Sequence, residues 1–196
     1  QSTIQRNFDA IQERGRAGGR EVFAHVNHPN FGWSLTVEDL ASLKGERFFE
    51  VYNGHRSVFN EGDATRPSTE QLWDQALFLR LHNGMGDGEV LYGVATDDAH
   101  NHGVSEGVSV PGRGWVMVRS KALNEDAIVR AMKAGNFYAS SGVTLKDVRR
   151  TGDVIEIEID SVPGTEYLTE FIACRILDEG PGPVGEVVAR STDTTA

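Results

Sequence analysis

Three short apolar runs in this chain each stop at a cluster of imidazole and oxygen-bearing side chains, and that repetition constrains the fold more than any other feature. The run Val90-Leu91-Tyr92-Gly93-Val94-Ala95 breaks into Thr96-Asp97-Asp98-Ala99-His100-Asn101-His102. The pattern recurs at Val22-Phe23-Ala24-His25-Val26-Asn27-His28-Pro29-Asn30 and at Phe48-Phe49-Glu50-Val51-Tyr52-Asn53-Gly54-His55. Runs rich in Val, Phe and Tyr that close on Pro or Gly are expected to be buried parallel strands passing into loops. Five of the six histidines fall on these exits, so the shared reading is a divalent metal site built from nitrogen and carboxylate donors on short loops. The sixth, His82, lies near the end of an expected helix, where capping explains it.

Helical spacing fills the intervals between the runs. Ile4, Phe8 and Ile11 are placed for one buried face, which Gly18-Gly19 stops. Thr36-Val37-Glu38-Asp39 and Ser68-Thr69-Glu70-Gln71 read as helix starts with capping partners, the second leading into Leu72, Trp73, Ala76, Leu77, Leu79 and Leu81. A further helix is expected over 124–134, between strands at 115–118 and 137–142. Strands alternating with helices predict an α/β domain over residues 1–142 with a largely parallel sheet. From residue 143 the character changes, because Val154-Ile155-Glu156-Ile157-Glu158-Ile159-Asp160 alternates as a half-exposed antiparallel strand does. Further strands are expected at 143–148, 167–177 and 184–188, broken by Pro163-Gly164 and Gly180-Pro181-Gly182-Pro183. Residues 143–196 therefore read as a β-rich appendage with a polar tail, 191–195, expected to be disordered.

Composition narrows the partners. At 196 residues the chain is long enough to bury a sizeable core. A net charge of -10 argues against wrapping a nucleic-acid backbone and against an anionic membrane surface. It does not exclude a phosphate substrate, since bound metal ions add positive charge that a residue count omits. The single Cys174 excludes an internal disulfide and disfavours a thiolate site. No apolar run reaches transmembrane length and no targeting segment is visible, so the compartment stays open.

With these residues in place, the chain resembles the later part of a PHP-family protein, the polymerase-and-histidinol-phosphatase group of metal-dependent phosphoesterases. The resemblance rests on His25-Val26-Asn27-His28-Pro29-Asn30-Phe31, Glu50-Val51-Tyr52-Asn53-Gly54-His55, Ser68-Thr69-Glu70-Gln71-Leu72-Trp73-Asp74, Tyr92-Gly93-Val94-Ala95-Thr96-Asp97-Asp98-Ala99-His100, Pro111-Gly112-Arg113-Gly114-Trp115-Val116 and Phe137-Tyr138-Ala139-Ser140-Ser141-Gly142, in family order. The His-x-His pair that opens the first strand of such a domain is absent ahead of them. The resemblance implies an incomplete, distorted (β/α)7 barrel of PHP type with a small C-terminal β appendage and chemistry at the C-terminal strand ends. It further implies metal ligation by His28, Asp98 and His100, with Glu50 and Asn53 on the pocket floor. His25, His55, Asp97 and His102 are further ligand or supporting candidates.

The activity so implied is hydrolysis of a small phosphate ester by a metal-activated water, with zinc, manganese or iron as the divalent ion. His102 or His55 is the expected proton donor, and Arg113 on its Gly-Arg-Gly turn is the expected phosphate clamp. Two alternatives remain open: a non-catalytic metal- or ligand-binding fragment, and an amidohydrolase-type enzyme. An open barrel edge implies a homo-oligomer or a preceding segment that covers it.

Overall fold

Helix starts form where the capping residues stand. Ser68 Oγ accepts the Gln71 N–H at 3.1 Å while Gln71 Oε1 accepts the Ser68 N–H at 2.9 Å, closing the box expected at that position. Thr36 and Asp39 close a second box. Among the described residues four α-helices result: α1 (Thr3–Ala17), α2 (Val37–Ala41), α3 (Thr69–Leu81) and α4 (Glu125–Lys133). On α1 only Phe8 of the expected stripe is fully buried, and Ile11 is exposed. The computed structural model describes residues 2–104, 106–174, 176–177, 180–181 and 183–194, and the chain divides into two compact units, Gln1–Ser141 and Gly142–Ala196.

In the first unit, β1 (His25–Val26), β2 (Phe48–Asn53) and β3 (Tyr92–Thr96) form a parallel sheet in that order. Phe49 faces one side, packing with Leu40, Leu43, Leu72, Ala76 and Phe8 beneath α1, α2 and α3. Phe48 and Val94 face the other side with Met132 of α4. That alternation is the period of two on which strands depend. The register between β2 and β3 slips once, with Glu50 opposite Val94 and Tyr52 opposite Ala95, so Val51 is an extra residue. Gly93 makes room for it: a Cβ there would meet Val51 Cγ1 at 2.8 Å.

The expected (β/α)7 barrel does not form. The fold is mixed, with four helices, one three-stranded parallel sheet and several separate two-stranded antiparallel sheets, and no barrel closes among the described residues. The physical reason lies between Thr96 and Trp115, where the described residues contain no helix. Without that crossover, β4 (Trp115–Val118) does not enter parallel to β3 and instead pairs antiparallel with β5 (Phe137–Ser140). The strand expected in the run that begins at Val22 shrinks to His25–Val26. With no barrel, the argument from an open barrel edge to an oligomer loses its premise.

The second unit is built from ladders. β6 (Leu145–Thr151) and β7 (Val154–Ile159) form a hairpin, and β8 (Thr169–Ala173) pairs with β11 (Glu186–Ser191). The short pair β9 (Ile176–Leu177) and β10 (Gly180–Pro181) lies between them in sequence. Of the segments read from the sequence, Arg175 in the 167–177 strand, Gly182 in the Gly-Pro turn and Thr195 in the tail lie outside the described residues. The tail up to Thr194 is tied to β7, since the Ile159 N–H donates to the Thr194 carbonyl at 2.8 Å.

Candidate functional site

The parallel sheet places the carboxyl ends of β1, β2 and β3 side by side, and most of the candidate residues leave the sheet there. Glu50, 4% exposed, is their hub. Its Oε2 accepts the His28 N–H at 2.7 Å and the Asn53 side-chain amide at 2.8 Å, while Thr96 Oγ1 donates to Oε1 at 3.0 Å. Asn53 also donates to Asp98 Oδ2 at 3.3 Å, and its carbonyl oxygen Oδ1 accepts the His55 N–H at 2.9 Å. Three donors on a buried carboxylate offset much of its desolvation. Glu50 and Asn53 are three apart, which would set them on opposite faces of a regular strand. The extra Val51 between them turns both to the same side.

Backbone strain concentrates at two residues of this rim. His28 has φ 20° and Asp98 has φ 49°, in or at the edge of the left-handed region that residues with a Cβ seldom enter. Such conformations persist where surrounding bonds hold them. Here the bonds are His28 N–H to Glu50 and Asp98 Oδ2 from Asn53.

The histidines differ in what their rings offer. His100 Nδ1 lies 2.6 Å from the Asp98 carbonyl oxygen, an acceptor only, so that nitrogen carries the hydrogen and neutral Nε2 keeps its lone pair. This is the tautomer of a metal ligand whose other nitrogen is held by a backbone carbonyl. His55 is the converse: its Nδ1 accepts the Ser57 N–H at 3.2 Å, leaving the hydrogen of the neutral ring on Nε2. The two rings meet edge to face with centroids 5.2 Å apart. His25 Nδ1 is the one buried side-chain polar atom among the described residues without a hydrogen-bond partner, and it lies 3.8 Å from Glu50 Oε1.

The remaining candidates serve the loops. Asp97 Oδ2 accepts the Gly112 N–H at 2.8 Å, so this carboxylate ties the loop after β3 to the turn before Arg113. Arg113 packs over Gly54, where a Cβ would meet its own Cβ at 2.7 Å, and donates to the Val108 carbonyl at 3.1 Å. His102 is exposed and takes part in none of these contacts. Beside the β2 exit lies a cavity of about 170 Å³, with Asn60 in its wall. Asn60 bonds both the N–H and the carbonyl of Asn53, at 3.1 and 2.8 Å. Thr96 and Asn60 went unremarked in the sequence, although Thr96 stands in the motif and was available to it.

The donor chemistry fits a divalent cation in kind, and the orphaned His25 nitrogen beside a carboxylate oxygen fits one in place. The number is lower than a closed centre needs: no group of three or more His, Cys, Asp or Glu side chains suited to a metal ion is gathered among the described residues. Comparison with protein-family models, with curated proteins and with solved structures finds no match to this chain.

Proposed function

We propose that the loops leaving β1, β2 and β3 hold a divalent cation with which the protein hydrolyses phosphate esters. The observation that carries the reading is His25 Nδ1, a buried nitrogen with no partner, 3.8 Å from a carboxylate oxygen of Glu50. A buried polar atom left unpaired costs about 1–3 kcal/mol, and a cation between nitrogen and carboxylate satisfies both. The order of motifs that resemble the PHP family adds support, as do the strained backbones of His28 and Asp98.

His25 and Glu50 would hold the ion, and His28, Asp98 and His100, which the family resemblance implies as ligands, would have to close on it when it binds; this donor mixture suits zinc, manganese or iron. When bound, the ion supplies a Lewis acid and a water of lowered pKa. His55 carries its ring hydrogen on Nε2, and there the neutral ring would donate a hydrogen bond to the leaving oxygen. Arg113 donates one N–H to the Val108 carbonyl and keeps further donors of its fork for a phosphate oxygen. His102 serves, if at all, from the exposed side of the loop.

A second reading, non-catalytic binding of a metal or ligand, is favoured by the finding that fewer than three donors gather among the described residues. The experiment that separates the two is a metal-supplemented panel of phosphate, sulfate and carboxylate esters, run on wild type beside Asp98→Ala. Phosphate-ester turnover that falls roughly 100-fold in the variant and vanishes on chelation is expected. Equal rates in both proteins leave the binding reading. Response to carboxylate or amide substrates alone would replace both with amidohydrolase-type chemistry.

A further inference from the structure

Directly beside the β1 exit, the turn Phe31–Trp33 and the loop around Phe59 expose Phe31 and Phe59, with Trp33 half-buried beside them. Phe31 and Phe59 are each 48% exposed. Trp33 stacks on Phe59 with centroids 4.9 Å apart and planes 7° from parallel, and Arg66 lies over the indole, 3.8 Å from its centroid. Arg66 is itself fixed by Asp63, donating from Nε at 2.8 Å, and this pairing holds the Asp63 carboxyl well below the usual carboxylate range. Asn30, 2% exposed, fastens turn to loop by donating to the Phe59 and Pro67 carbonyls at 2.9 and 3.0 Å.

Two further observations tie these rings to the site. Phe31 meets the His28 ring edge-on with centroids 5.2 Å apart, so the exposed aromatic strip begins at a proposed metal-binding residue. Trp33 has φ 55°, a left-handed conformation that a bulky aromatic adopts only against steric cost, directly after Gly32 at φ 60°. Phe31 and Phe59 are thus presented outward instead of being turned into the apolar core, with Trp33 held behind them against Phe59 and Arg66.

We propose that Phe31, Trp33 and Phe59 form a platform that receives the planar aromatic part of the substrate, an aryl or nucleobase-bearing phosphate ester. The proposal deepens the hydrolase reading and depends on it only for the phosphate end. Flat π-systems stack favourably on such rings whatever their pattern of hydrogen-bonding groups. The net charge of -10 favours a single small ester over a polyanionic strand.

Two measurements test it. The first is the ratio of kcat/KM for phenyl phosphate to that for glycerol phosphate, in wild type, Phe31→Leu and Phe59→Leu. Leucine keeps apolar bulk but removes the π-face, so the aryl preference is expected to fall about 2- to 10-fold, through KM. The second needs no turnover: phenyl phosphate should quench tryptophan emission saturably where glycerol phosphate does not, and Trp33→Phe should abolish the quenching. If neither ester is hydrolysed but the selective quenching is seen, the hydrolase reading fails and the platform stands as an aromatic-ligand site. An unchanged aryl-to-alkyl ratio in both leucine variants, or quenching that is equal for the two phosphates or absent, overturns the platform.

Discussion

Two buried polar centres lie within the first unit, and they are finished to different degrees. Arg80 of α3 is 0% exposed, yet its donors are met: the Glu89 carbonyl at 2.6 Å, the Ala41 and Leu43 carbonyls at 3.1 and 2.7 Å, and the Asp87 carboxylate in an ion pair. Glu50 is almost as deeply buried, but the rim around it contains an unpartnered His25 nitrogen and two residues in left-handed backbone. The first centre fastens the segment between α3 and β3 to the end of α2 and needs nothing from outside. The second is assembled at a cost and left incomplete, as the proposed cation site requires.

The sharpest way to break this comparison is at Arg80. Arg80→Met should cost about 3–5 kcal/mol in chemical denaturation, because Asp87 and three carbonyls lose their partner together. A loss near zero would make the clamp dispensable and the contrast empty. Glu50→Gln probes the other centre: the amide keeps one acceptor oxygen and puts an NH2 group either against the Thr96 hydroxyl or against the His28 and Asn53 donors, costing about 1–3 kcal/mol. Phosphate-ester hydrolysis should fall roughly 100-fold in the same variant, read beside its thermal unfolding. Asp98→Gly is read against Asp98→Ala, since both lose the carboxylate that Asn53 bonds. Glycine relieves the left-handed backbone where alanine does not, so Asp98→Gly should be the more stable of the two by up to about 1 kcal/mol, while metal content falls in both; equal melting temperatures would show that no strain is stored there.

The smallest effect concerns Glu46, which is 2% exposed and bonded by the Gln12 side chain on α1. Burial pushes its carboxyl above the ordinary 4.5, against the lowering influence of a backbone hydrogen bond at Ala24 and the charges of Lys133 and Arg47. A carboxyl raised on folding adds stability below its unfolded pKa and loses that contribution as pH rises through the folded value. Glu46→Gln should therefore gain melting temperature over wild type as pH rises toward 7, and the two should converge below about pH 4.5. A difference independent of pH would remove Glu46 as a titrating group.

Much of the local architecture was legible because its causes are local. The boxes at Thr36 and Ser68 are short-range chemistry, and both stand in the structure. The three exits after apolar runs were visible as a repeated pattern, and β1, β2 and β3 do set them side by side. The barrel was not legible from those signals, because strand direction depends on what joins the strands. The described residues between β3 and β4 turn without a helix and so change the direction of pairing. Nor does composition reveal which nitrogen of a histidine carries the hydrogen. That follows from single contacts, Ser57 to His55 and His100 to Asp98, which exist only after folding. Arg80 read as one more polar position on a helix, and its burial depends on carbonyls about 40 residues away in sequence.

The slip of register at Val51 makes that residue a spacer and not a determinant of which way the rim faces. Replacing Val51 by another residue of similar size leaves Glu50 and Asn53 on one face. Removing it leaves them two apart, which simple alternation also sets on one face, with Tyr52 still opposite Ala95 and Asn53 still opposite Thr96. This strand should therefore tolerate both the exchange and the loss of Val51, whereas a side chain at Gly93, which would meet Val51 across the ladder, is the change that disturbs it.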